Sequence, residues 1–234
     1  MYRLIIIILT ALLALPAVAT NILLIAYQAN YAVYRGDTYV GDSELSLERS
    51  GSYWRWRQTS KAKGFYALFS NNTLYSETTL LRHDEQYKIH NILITEEGDD
   101  EAYENARFNW DNQKIDIQHK NKRYIETLPQ AIYDSHSIHL LSAHMLKKNL
   151  LKIEFNLYRR GRLHKSYLKR IGKSTLEINQ NPVDVLIFEQ TTENSSAIMK
   201  YYYNPEKPLL PIKIERIKPN KKSTMMLLKS AEWR

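Results

Sequence analysis

Seven histidines are the residues most suited to acid–base or metal chemistry: His83, His90, His119, His136, His139, His144 and His164. Only His136 and His139 have the spacing that sets two imidazoles on one side of a helix, and Asp134 stands near enough in sequence to be the third donor that a metal requires. Helix-borne histidines beside Ser and Asp need no metal to be satisfied, so no metal site is assigned. A Gly-rich phosphate loop, a nucleophile elbow and a zincin pattern are all missing. A hydrolase would therefore need scattered Asp, Glu and Ser to converge only in three dimensions. No catalytic residue and no cofactor are implied. The chain has no Cys, which excludes disulfides, iron–sulfur clusters, thiolate zinc sites and thiol nucleophiles.

Charge points to binding. The 234 residues carry 33 basic and 25 acidic side chains, a formal +8. Ten of the basic groups fall between positions 147 and 173, against Glu154 alone. Within that run Arg159, Arg160, Arg162, Lys165, Lys169 and Arg170 are candidates for holding a polyanion, with Phe155, Tyr158 and Tyr167 interleaved. The same pattern also describes solvated strand faces and hairpin tips. A second set is aromatic: Tyr27, Tyr31, Trp54, Trp56, Phe65, Phe69 and Tyr202 are candidates for lining an apolar pocket. Their alternative is to fill a core. The acidic stretch from Asp84 to Glu101 lacks the spacing and glycine of a calcium loop and reads as a strand followed by a solvated loop.

The first residues give an address. Arg3 precedes an apolar run from Leu4 to Leu15, Pro16 interrupts it, and Ala17, Val18 and Ala19 supply the small-x-small pattern that signal peptidase accepts. Residues 1–19 are thus expected to be a cleaved signal peptide and residues 20–234 a single β-rich domain, with a mature charge of +7. The alternative is an uncleaved segment from Leu4 to Ala26 tethering the protein to the inner membrane. Either way the rest is exported, and a Cys-free exported chain suits a bacterial periplasm. The polyanions within reach there are lipid headgroups, lipopolysaccharide and acidic glycans; no nucleic acid is expected.

These residues must be positioned by strands. Tyr27, Ala29, Tyr31 and Val33 alternate with polar or small partners, Arg35 to Asp37 turn, and Tyr39 to Leu47 resumes the alternation. Trp54 and Trp56 share one face of the next strand. Short alternating runs continue, through Phe65 to Phe69, Leu74 to Leu81 and Tyr87 to Thr95. Beyond position 150 come Leu163 to Ile171, Thr175 to Ile178, Val183 to Glu189 and Leu210 to Ile217. One segment is helical: after the cap candidate Asp134, residues Ser135 to Lys148 put Ile138, Leu141 and Met145 at three-and-four spacing, with Lys147 and Lys148 in the last turn. The expected fold is all-β: roughly ten strands in a curved antiparallel sheet or half-open β-barrel, with one amphipathic helix packed against it.

The chain resembles a bacterial exported family catalogued as domain of unknown function 3108. The likeness is carried by Tyr27 to Val33 followed by Gly36 and Gly41, by Lys61 to Phe65, by Tyr133, Asp134 and the Ser137 to Lys147 helix, and by Tyr201 to Tyr203 leading to Leu210 to Ile214. It runs over about residues 22 to 233. The resemblance implies a curved antiparallel sheet akin to the half-open barrel of periplasmic lipoprotein carriers. It implies no catalytic residues, because the family has no established activity. The expectation is therefore a periplasmic binding protein for an envelope lipid, lipopolysaccharide or glycan. A structural or adaptor role beside another envelope protein is the alternative, and an uncharacterised hydrolase a further one.

Overall fold

In the computed structural model the described residues are 22–64, 67, 73–83, 86–96, 103–178 and 180–234. Residues 1–19, expected to be a leader, and Phe65 and Phe69 lie outside them, whereas residues 22–26 of the alternative anchor segment lie within them. Among the described residues fifteen strands and one helix follow in chain order. Strands β1 (Tyr27–Arg35), β2 (Thr38–Ser50), β3 (Tyr53–Ala62), β4 (Thr73–His83), β5 (Gln86–Glu96), β6 (Glu104–Asn109), β7 (Lys114–His119) and β8 (Lys122–Thr127) form an antiparallel meander. The two-residue β9 (Ile132–Tyr133) leads into helix α1 (Ile138–Lys147). Strands β10 (Lys152–Arg159), β11 (Arg162–Ile178), β12 (Asn181–Thr192), β13 (Ile198–Tyr203), β14 (Pro211–Lys218) and β15 (Lys221–Trp233) complete the chain.

All fifteen strands belong to one sheet, and β15 pairs with β1 at its centre, so the meander from β1 to β8 is one wing and that from β15 back to β10 is the other. Every pairing is antiparallel except that of β9 with β10. The sheet is curved and open, with β8 and β9 as its edges. A seam of side chains joins one edge to the opposite wing. The Tyr124 hydroxyl on β8 donates to the Gly161 carbonyl in the β10–β11 turn, and the Phe108 and Tyr158 rings meet edge to face with centroids 5.6 Å apart.

The period-2 pattern does what it predicts: Tyr27, Ala29 and Tyr31 are buried, and Gln28 and Asn30 are not. Strand β11 differs from expectation. The sequence predicts a break between Ile171 and Thr175, yet the strand runs unbroken through Gly172, because a register shift between Arg170 and Gly172 bends it without ending it. Strand β8 follows a tight turn at Lys120 and starts at Lys122. As an edge strand it is paired on one side only, and of its apolar residues Tyr124 packs on the core while Ile125 is exposed, so it carries no run of alternating apolar residues.

Helix α1 packs against the sheet from inside the curve. Asp134 caps the turn that leads into it: its Oδ1 accepts from the Ser137 backbone N–H at 2.8 Å, while Ser137 Oγ accepts from the Asp134 backbone N–H at 2.8 Å. All residues from Ile138 to Met145 are buried. Leu140 and Ala143 join the core lined by β1 to β7, whereas Ile138, Leu141 and Met145 join the core lined by β10 to β13. The helix thus serves both wings, which is why burial extends beyond a single stripe.

Candidate functional site

Near the C-terminal end of α1 a cavity of about 950 Å³ opens to the surface. Buried Ala143, Leu186 and Leu209 form part of its wall, and Leu146, Pro208 and Trp233 extend it. Ile22, Leu23 and Ile25, ahead of β1, contribute further apolar surface, and Leu23 is 78% exposed. The 204–210 link reaches the cavity because Pro205 and Pro208 keep it out of regular pairing. It folds as successive turns, with Lys207 N–H donating to the Asn204 carbonyl at 3.0 Å and Leu210 N–H to the Lys207 carbonyl at 3.2 Å. Charged groups stand among these apolar ones: Lys147, Arg170 and Lys207, against Glu206. The Lys207 ammonium lies 5.1 Å from the centre of the Trp233 ring, and Arg170 donates to Asn149 Oδ1 at 3.0 Å.

The polar groups most like a catalytic set are sealed instead. Asp134, His136 and Ser137 are at most 4% exposed. Ser137 Oγ donates to Asp134 Oδ1 at 2.5 Å, and Thr78 Oγ1 donates to Asp134 Oδ2. His136 turns its ring to Thr78 Oγ1 at 2.9 Å and Ser76 Oγ at 3.3 Å. The serine proton therefore goes to a carboxylate and not to an imidazole, so this trio lacks the nucleophile–base pair of acyl-transfer chemistry. His139 faces a different partner, the Tyr203 hydroxyl, 2.7 Å from Nδ1. Ser142 Oγ donates to the same hydroxyl at 3.1 Å. Burial, and then the charge of His136, drop the His139 pKa to about 3. No group of three or more His, Asp or Glu able to hold a metal occurs among the described residues.

The candidate aromatics separate. Tyr27, Tyr31 and Trp56 come together, each at most 1% exposed. Their polar atoms are spent on the protein: Trp56 Nε1 donates to Tyr27 Oη at 2.7 Å, Tyr27 to the Leu209 carbonyl at 3.3 Å and Tyr31 to the Pro211 carbonyl at 2.7 Å. Burial holds both tyrosine pKa values well above the ordinary range. They pack as core because α1 occupies the space in front of them, with His139 edge to face on Trp56 at 5.4 Å. Trp54, half-buried, packs on the same core. Tyr202 points to the other side of the sheet, against Val185 and Ile212, and donates to Glu215 Oε2 at 3.1 Å. None of these five lines the large cavity.

The basic candidates also divide. Arg159, Arg160, Arg162, Lys165 and Lys169 are exposed along the β10–β11 hairpin. Arg159 stands directly opposite Arg162, and Lys165 pairs with Glu154 at 3.1 Å. Desolvation and then the neighbouring Arg160 and Arg216 pull the Arg159 pKa down. Arg170 alone reaches the cavity. Of the cavity wall, Leu186, Leu209 and Trp233 were missed because they come from segments far apart in sequence and carry no shared spacing.

Among curated proteins, none matches the chain. Among solved structures it is similar to a beta-barrel-like protein of domain of unknown function DUF1849 from Brucella abortus, with a TM-score of 0.60 and 8% identity. That likeness covers 91% of this chain and 99% of the other, and it shows the fold. Residues 27–228, from the first strand almost to the end of the last, match the family described as Protein of unknown function (DUF3108), and the chain belongs to that family.

Proposed function

We propose that the protein is a non-catalytic binding protein of the bacterial envelope, exported to the periplasm, that takes up an amphiphile in the cavity beside the end of α1. The observation that carries this reading is the cavity itself: about 950 Å³, walled mainly by Ala143, Leu146, Leu186, Pro208, Leu209 and Trp233, and open to solvent. That volume lies at the upper end of the range of about 300–1,000 Å³ typical of ligand pockets. Apolar surface kept open in a water-facing recess forgoes burial worth about 25 cal/mol per Å², which a bound acyl chain would recover. Lipid or lipopolysaccharide acyl groups fit such a wall better than a glycan, whose hydroxyls need dense polar partners. Export agrees with the apolar leader and the absence of Cys.

The test is native mass spectrometry and lipid extraction of the protein isolated from the envelope of its producing cells. A bound amphiphile is expected, and Leu146→Arg, which sets a charge in the wall from a half-buried position, should remove it while leaving the circular dichroism spectrum unchanged. Isolation without any amphiphile, together with failure to take up added alkyl probes, would overturn the reading. An adaptor role has one observation in its favour: Ile125, on edge strand β8, is 65% exposed.

A further inference from the structure

We propose that the ligand of this cavity carries an anionic head, a carboxylate or a phosphate, received by Arg170 and Lys207 with help from Lys147, while its chain lies on the apolar wall. The inference rests on reading the cavity as an amphiphile site and adds the charge of the occupant. Three of the four charged residues that line the cavity are cations, the exception being Glu206. They arrive from three separate elements: Lys147 from the last turn of α1, Arg170 from β11 and Lys207 from the 204–210 link.

Lys147 has an ordinary task there, since cations at a helix C-terminus compensate the carbonyl end of the dipole. Arg170 and Lys207 serve no helix end, so they carry the argument. Each is held at the cavity before any ligand comes: Arg170 through Asn149 Oδ1 at 3.0 Å, Lys207 over the Trp233 ring at 5.1 Å. Trp233 is itself part of the wall. Cations fixed beside an apolar surface cost a ligand less ordering entropy than mobile ones, and they favour a head that returns charge-assisted hydrogen bonds. A guanidinium presents a planar fork suited to both carboxylate and phosphate, and an ammonium adds a point charge.

Calorimetric titration of the delipidated full protein with four single-chain probes of matched chain length tests this. They are palmitate, lysophosphatidylglycerol, zwitterionic lysophosphatidylcholine and an uncharged alkyl maltoside. The expected result is that one or both anionic probes bind about tenfold or more tighter than the uncharged one, as one charge-assisted contact implies. That advantage should shrink as salt is raised. Arg170→Gln and Lys207→Gln should each reduce it several-fold, a larger loss than either causes for the maltoside, which serves as the internal control for an intact cavity. Preference for palmitate over the lysophospholipid identifies a carboxylate head, and the reverse a phosphate. Equal affinity for anionic and uncharged probes would overturn the anionic head and leave the amphiphile reading standing. Failure of all four to bind would remove the amphiphile reading, and the inference with it.

Discussion

The Trp56 indole N–H donates to the Tyr27 hydroxyl at 2.7 Å in the interior, where both residues are at most 1% exposed. The hydroxyl passes its own proton toward the Leu209 carbonyl, 3.3 Å away, and the Leu209 side chain is part of the cavity wall. A buried donor left without an acceptor costs its full desolvation, about 1–3 kcal/mol. Tyr27→Phe should therefore destabilise the protein by about that amount, because it strands the indole N–H as well as removing a bond. Trp56→Phe/Tyr27→Phe should cost less than the two single changes together. Urea unfolding of the four proteins checks this, and strict additivity would show that the pair does not act as a unit.

Acid should weaken the fold through the buried histidines. An imidazole in the unfolded chain takes up its proton near pH 6.5, whereas burial delays protonation of His139 to about 3 and lowers that of His136 as well. Between those limits the unfolded chain holds more protons than the native one. The stabilising contribution is thus complete above pH 6.5 and is lost as pH falls toward 3, at about 1.4 kcal/mol per pH unit for each histidine that remains neutral. Geometry agrees: Ser142 donates to the Tyr203 hydroxyl, which leaves that hydroxyl's proton for His139 Nδ1, and a protonated ring could not accept it. Urea midpoints measured from pH 7 to pH 4 should fall with a shallower slope in His139→Gln than in the unaltered protein. Identical slopes would mean that His139 does not titrate with unfolding.

Much of this arrangement can be read from alternation, and the part that cannot has a definite cause. Tyr27, Ala29 and Tyr31 announce an inward face through period 2, as Trp54 and Trp56 do, whereas Asp134, the expected cap, closes the turn ahead of the helix, whose N-cap is Ser137. Whether an inward aromatic meets empty space or a helix depends on how tightly the sheet curls, a long-range property that leaves no trace in local spacing. Trp56 therefore reads equally well as pocket lining or core until His139 is found on its ring. The cavity wall is harder still. Ala143, Leu186, Leu209 and Trp233 are unremarkable apolar residues in their own segments and meet only because β15 returns to the centre of the sheet. Arg170 is legible as one cation among ten between positions 147 and 173, and alternation sets it on the face opposite Lys169, but nothing local shows that its face meets a cavity.

The seam between the wings is wedged at Gly161, which has φ of +68°. A Cβ there would stand 2.7 Å from His119 Cβ and 2.7 Å from Tyr124 Oη. Gly161→Ala thus combines two costs, an unfavourable left-handed backbone and a collision that pushes the β10–β11 turn away from β7 and β8. Gly51, at φ +62° with nothing within 4 Å, isolates the first cost when changed to Ala. The collision should make Gly161→Ala the more destabilising of the two by about 1–3 kcal/mol in urea unfolding. It should also break the hydrogen bond from Tyr124 to the Gly161 carbonyl. Amide exchange in β8 should then quicken in Gly161→Ala and not in Gly51→Ala, since β8 is an edge strand paired on one side only and depends on the seam for cover. Equal stability and equal exchange in the two variants would show that the wings stay together without this contact.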